Sequence, residues 1–219
     1  MTLPYLQDEL EAIYGVRAPA RVEEFLLDRA LARAHGAEPR APEVLLVRES
    51  ADGLELGLFL DDEVVRAARV TDPHDPRPLL AVTERLPQLA CAAEGVSHFV
   101  YLAVRAAVER PVSLLELEVQ AEVDKFALLL LHLWRRGLRR FSPVLRSRLY
   151  ERVRFHAHLG AEELERYRLA NRLGGGYARW LEDRYVEGAD VEGLVRELRA
   201  SYRLGCGEKL GYLGARALH

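Results

Sequence analysis

Glu116, Glu118, Glu122 and Asp124 fall within nine residues, with Lys125 beside them and His98 eighteen residues before the first. Carboxylate and imidazole groups are ligands for a divalent ion, and a bound ion can activate water for hydrolysis. His98, Glu118 and Glu122 are therefore one candidate set, that of a metal-assisted hydrolase. The set matches no established spacing, since H-E-x-x-H and D-x-E-x-K are both absent. The simpler account is a water-facing strand whose acids repel one another and need nearby cations.

A second constellation is basic. Residues 135–154 carry eight arginines against the single acid Glu151. Arg166, Arg168, Arg172, Arg179 and Arg184 extend the run, interleaved with Tyr167, Tyr177, Trp180 and Tyr185. Guanidinium forks between aromatic platforms suit carboxylates, phosphates and unstacked bases. Arg135, Arg139, Arg146, Arg148, Arg152, Arg154, Arg168 and Arg172 are the residues expected to meet an acidic partner, a protein or a nucleic acid. A sequence pI near 6.2 argues against bulk, non-specific binding of nucleic acid.

Other chemistry finds less support. Glu94 and His98 are four residues apart and would share a helix face, but Gly95-Val96 reads as a left-handed helix end between them. Asp72, His74 and Asp75 sit among three prolines, where solvated loop residues are the rule. His132, His156 and His158 read as surface histidines. There is no G-x-S-x-G elbow, and Cys91 lies in a pattern that suits a helical core. Gly174-Gly175-Gly176 matches neither a phosphate-binding loop nor a dinucleotide fingerprint and reads as a kink or hinge. No cofactor is expected.

The elements that must position these groups follow from periodicity. Residues 115–124 alternate apolar and polar without a miss, the period of a half-buried strand, although Ser113 and Glu116 also form a capping-box pattern that favours helix. Ser97 to Arg105, rich in aromatic and β-branched residues, reads as a central strand. Val44 to Glu49 and Leu54 to Leu60 read as a hairpin. Helices are expected over residues 3–14, over 22–35 ending at His35-Gly36, from Asp61-Asp62 to Val70, and over 79–94. Asp124 would cap a further helix, 125–136, lying across the sheet. After Gly137 the chain is helical, with starts at Ser142-Pro143, Glu162-Glu163 and Asp190.

The expected fold is thus α+β: a small, mostly antiparallel sheet of about four strands packed against helices, with an all-helical C-terminal half. Residues 1–137 would form the acidic α+β core and 138–219 a basic helical subdomain sharing that core. Charge follows the same division. Residues 1–134 hold 13 basic and 23 acidic residues, net −10, whereas residues 135–219 hold 18 and 11, net +7. A signal peptide is not expected, because Asp8, Glu9 and Glu11 stand where one would be apolar, and Phe126 to Leu131 is too short to span a bilayer. Two cysteines in no spaced motif argue against a disulfide framework. Together these features point to a cytoplasmic, non-catalytic binding or regulatory protein, the hydrolase being the alternative.

Overall fold

Helix α1, Leu3–Tyr14, buries Leu3, Leu6, Leu10 and Ile13 as their spacing requires, and Gly15 ends it at a φ of 63°. The structure is a computed structural model describing residues 2–37, 41–50, 53–70, 84–153 and 160–218. The chain forms two compact units, Met1–Ala12 with Val16–Pro111, and Ile13–Gly15 with Val112–His219. The change in sequence character after Gly137 falls inside the second.

In the first unit the Gln7 amide fixes the loop after α1. Its Nε2 donates to Glu11 Oε1 and to the Ala20 carbonyl, each at 2.9 Å, and its Oε1 accepts from the Val22 amide at 2.8 Å. The single helix expected over 22–35 is instead a 3-10 turn at Val22–Phe25, a short strand β1 at Leu26–Leu27 and helix α2 at Arg29–Ala34. Asp28 decides this, because its side chain caps α2 by accepting from the Leu31 amide at 2.7 Å and so separates the pieces. The hairpin is β2, Glu43–Ser50, paired antiparallel with β3, Gly53–Leu60, in the register Val44 to Phe59. β1 joins β3 in parallel, giving the order β1-β3-β2. The sheet therefore has three strands and one parallel pair among the described residues, not four mostly antiparallel ones.

Two of the expected strands, 97–105 and 115–124, are helices. After α3, Asp62–Val70, the next element is α4, Leu86–Ala106, which runs through both the expected end at Gly95 and the expected strand 97–105. Val96 to Val100 are all buried, so aromatic and β-branched residues occur on every side of the helix and no stripe marks its period. Gly95 is there for proximity. A β-carbon on it would stand 3.0 Å from the Glu43 and Leu60 side chains and 3.2 Å from Leu58. Residues 79–83 and 71–78, including Asp72, His74 and Asp75, lie outside the described residues.

The second unit is built on α5, Leu114–Trp134. This one helix replaces both the strand expected over 115–124 and the shorter helix capped by Asp124. The capping pattern was the informative signal: Ser113 Oγ accepts from the Glu116 amide at 3.1 Å. Almost every residue from Glu116 to Leu133 is buried, which removes the apolar stripe and leaves an accidental alternation. Around α5 follow a 3-10 turn at Arg139–Phe141, α6 at Ser142–Arg146 with a π-helical turn at Ser147–Glu151, and α7 at Ala161–Leu181 with a second π-helical turn at Glu182–Val186. α8, Val191–Arg203, is capped by Asp190, and α9, Cys206–Ala217, follows.

The triple glycine is neither kink nor hinge, since α7 runs unbroken through it and packs against both α5 and α9. A β-carbon on Gly174 would lie 2.6 Å from Glu122 Cβ, and one on Gly176 would lie 2.4 Å from Ala217 Cβ and 2.9 Å from its Cα. Three small residues thus let α7 approach two helices at once. Gly211 in α9 has open space instead. By chemical denaturation, Gly176→Ala should lose about 1–3 kcal/mol through overpacking, although alanine is the better helix former, while Gly211→Ala should gain up to about 1 kcal/mol.

Candidate functional site

α5 carries acids into a buried setting, and the second unit supplies their partners. The Asp124 carboxylate accepts from the Tyr14 hydroxyl and from Gln120 Nε2, the latter at 2.8 Å. Gln120 Oε1 accepts from Lys209 Nζ at 2.5 Å, and that lysine is fully buried. Burial first, and the Asp124 charge second, push the Tyr14 hydroxyl well above the usual tyrosine range, so it stays a donor. Lys125 Nζ lies 3.0 Å from Glu122 Oε1, and Arg166 Nε lies 3.8 Å from Glu118 Oε1. The acids are not a solvent-washed strand face, as their alternation suggests, but interior groups, with cations beside Glu118 and Glu122 and neutral donors on Asp124. Of the metal set considered from sequence, His98 sits on α4 in the first unit and Glu118 and Glu122 on α5 in the second.

With these cations spent inside, the arginines that remain at the surface of the second unit define its chemistry. A cleft of about 850 Å³ opens between the 137–146 segment and the end of α7, lined by Arg139, Arg140, Arg146, Arg179, Ser142, Glu182, Asp183 and Glu187 together with Gly137, Pro143 and Val186. Arg146 is its fixed wall. Arg146 Nε donates to Glu182 Oε2 at 2.6 Å and its Nη1 to Glu151 Oε1 at 2.7 Å, while Ser142 Oγ donates to the other Glu182 oxygen. Hydrogen bonds from Ser147 and then Arg146 hold the Glu151 carboxyl below the usual glutamate range. Arg139 Nε donates to the Val186 carbonyl at 3.4 Å and closes the second π-helical turn.

Arg140 and Arg179 differ from these. Both are exposed, and neither has an ion pair among the described residues; the Arg140 guanidinium rests over the Phe141 ring at 5.1 Å from its centroid. Along α7 the exposed Arg168, Arg172 and Arg179 recur at spacings of four and seven, which places them on one helix face continuing away from the cleft. Four guanidiniums face three carboxylates in the cleft lining, and the Arg146–Glu182 pair neutralises itself. The arrangement offers two planar, bidentate-capable donors beside a structured pair of opposite charges.

Of the arginines expected to bind a partner, Arg139 and Arg146 line the cleft. Arg168 and Arg172 continue its basic face, and Arg135, Arg148 and Arg152 are exposed elsewhere in the second unit. Arg154, with His156 and His158, lies outside the described residues. Arg140 and Arg179, the two most available guanidiniums in the cleft, belong to the same basic run but nothing local separates them from their neighbours. Glu182, Asp183 and Glu187 gave no sequence signal at all, because only the end of α7 folding back on α6 makes them part of a cleft. Among the described residues no helix is long and apolar enough to cross a membrane. No protein-family model, curated protein or solved structure matches the chain.

His132 closes α5 beneath Arg135 and Arg136 and is buried, contrary to its reading as a surface histidine. Burial, then the Arg136 and Arg135 charges, lower its imidazole to about 4. A folded-state value below the unfolded one means that the unfolded chain takes the proton first as pH falls. The stability this neutral imidazole preserves is complete above about pH 6.5 and is lost progressively toward pH 4, amounting to about 3 kcal/mol there. His132→Leu should flatten the stability-versus-pH profile over that window; an unchanged slope in denaturant titrations at stepped pH would contradict a buried neutral His132.

Proposed function

We propose that this is a non-catalytic binding or regulatory protein that captures an acidic polypeptide segment through the arginine face of its second unit, centred on the cleft between α6 and the end of α7. The observation that carries the reading is the contrast within the cleft. Arg146 is locked by Glu182 and Glu151, whereas Arg140 and Arg179 stand exposed with no ion pair among the described residues. A carboxylate entering beside the locked arginine meets two guanidiniums that need not first break an internal pair, so the cost of binding is mainly side-chain ordering.

The lining favours a polypeptide over a nucleic acid. Asp183 and Glu187 stand exposed at the same cleft and would repel a continuous phosphate backbone, but they leave room for a segment whose acids are interspersed with neutral or basic residues. The exposed arginines on α7 would extend the contact by further, weaker pairs. The π-helical turn Glu182–Val186 lines the cleft, and such turns recur where helices are shaped for ligands. A cytoplasmic setting agrees with only two cysteines and an arginine-rich surface.

Fluorescence anisotropy with a labelled acidic peptide tests the reading. The Arg140→Glu/Arg179→Glu double variant should bind at least about tenfold more weakly, roughly 1.4 kcal/mol, with affinity falling as salt is added. Arg196→Glu, on α8 and already paired with Glu192 at 3.7 Å, should bind as the parent does. Equal affinity of the double variant, or stronger binding of an oligonucleotide of the same net charge, would contradict the proposal.

A further inference from the structure

The first unit contains a second constellation that the cleft does not use. Because α4 runs through Gly95, Glu94 and His98 stand one helical turn apart on the same face, and a carboxylate oxygen of Glu94 and a ring nitrogen of His98 lie within 4.8 Å of each other. Glu43, the first residue of β2, reaches the same imidazole, with its Oε1 3.4 Å from His98 Nδ1. Gly95 makes that approach possible. Its missing side chain leaves the space that Glu43 Cγ enters, 3.0 Å from where a β-carbon would stand.

We propose that the first unit holds a divalent transition-metal ion on Glu94 and His98, with Glu43 as the carboxylate that orients the imidazole. The His98 tautomer that donates its Nδ1 proton to Glu43 presents the lone pair on Nε2, a buried ring atom. Carboxylate, imidazole and metal in line is the arrangement that fixes tautomer and ring angle in metal centres and raises the basicity of the ligand. Two ligands around one ion at about 2.0–2.2 Å stand at most about 4.4 Å apart, within reach of the observed pair after a small side-chain adjustment. An imidazole and a carboxylate without thiolate suit zinc, cobalt, nickel or iron, and two protein ligands leave coordination positions for water or a further donor.

This site differs from the His98, Glu118 and Glu122 set considered from sequence: it keeps the histidine and takes both carboxylates from the first unit. It is independent of the arginine cleft, so either proposal can fail alone.

Isothermal titration of EDTA-treated full-length protein with zinc chloride, repeated with cobalt chloride and its visible absorption, tests the proposal. The parent should take up one ion per chain with a cobalt spectrum characteristic of protein ligation. Glu94→Gln, which preserves shape, should weaken binding at least about tenfold, Glu43→Gln about 10- to 100-fold as expected for loss of an orienting carboxylate, and His98→Ala should abolish it. His35→Ala, at an exposed histidine, should change nothing. No uptake by the parent, or uptake unaltered in Glu94→Gln, would overturn the site.

Discussion

A helix buried along nearly its whole length while carrying Glu116, Glu118, Glu122, Asp124 and Lys125 imposes the main constraint on the second unit. Moving a carboxylate out of water costs several kcal/mol unless hydrogen bonds or an opposite charge compensate. The partners are therefore specific. Tyr14 and Gln120 serve Asp124, Lys209 serves Gln120, Lys125 faces Glu122, and Arg166 faces Glu118. The glycines of α7 belong to the same solution. Gly174 lets α7 lie directly over Glu122, and Tyr150, which also packs against Gly175, donates its hydroxyl to the Glu122 carbonyl at 2.7 Å.

This internal neutralisation explains how cations are allotted. The chain holds 29 arginines and only two lysines, and both lysines are buried in the second unit. A lysine presents one compact charge that can be delivered on a long apolar stem into an interior, whereas an arginine keeps its charge and a planar fork for partners at a surface. Arg146 and Arg166 stand between these roles, paired yet partly exposed. Arg140, Arg168, Arg172 and Arg179 stand fully on the surface side. The excess of positive charge after Gly137 thus resolves into a few structural pairs and an arginine face around one cleft.

How much of this was legible in sequence depended on whether an element faces water. The β2–β3 hairpin, half exposed, shows its alternation plainly, and caps such as Ser113, Asp61 and Asp190 act locally and could be recognised from residue type. α4 and α5 are buried all round, so neither displays a 3.6-residue stripe, and their apolar richness or chance alternation imitates strands. The same limit applies to the sites. The arginine run is visible as composition, but which guanidiniums remain unpaired depends on Glu182 and Glu151 reaching Arg146 across the fold. Gly95 was misleading for a related reason. A glycine required for close packing and one required for a left-handed helix end carry the same letter, and the Glu94–His98 pair depends on which it is.

α5 is an interior helix whose Lys125 lies against Glu122 and whose Gln120 takes the buried Lys209. Lysine acylation mapped by mass spectrometry tests it directly, because the chain has only Lys125 and Lys209. With both side chains buried, an amine-reactive ester should leave the two lysines unmodified in the native protein and modify both after denaturation. Stoichiometric acylation of either lysine under native conditions would contradict the account.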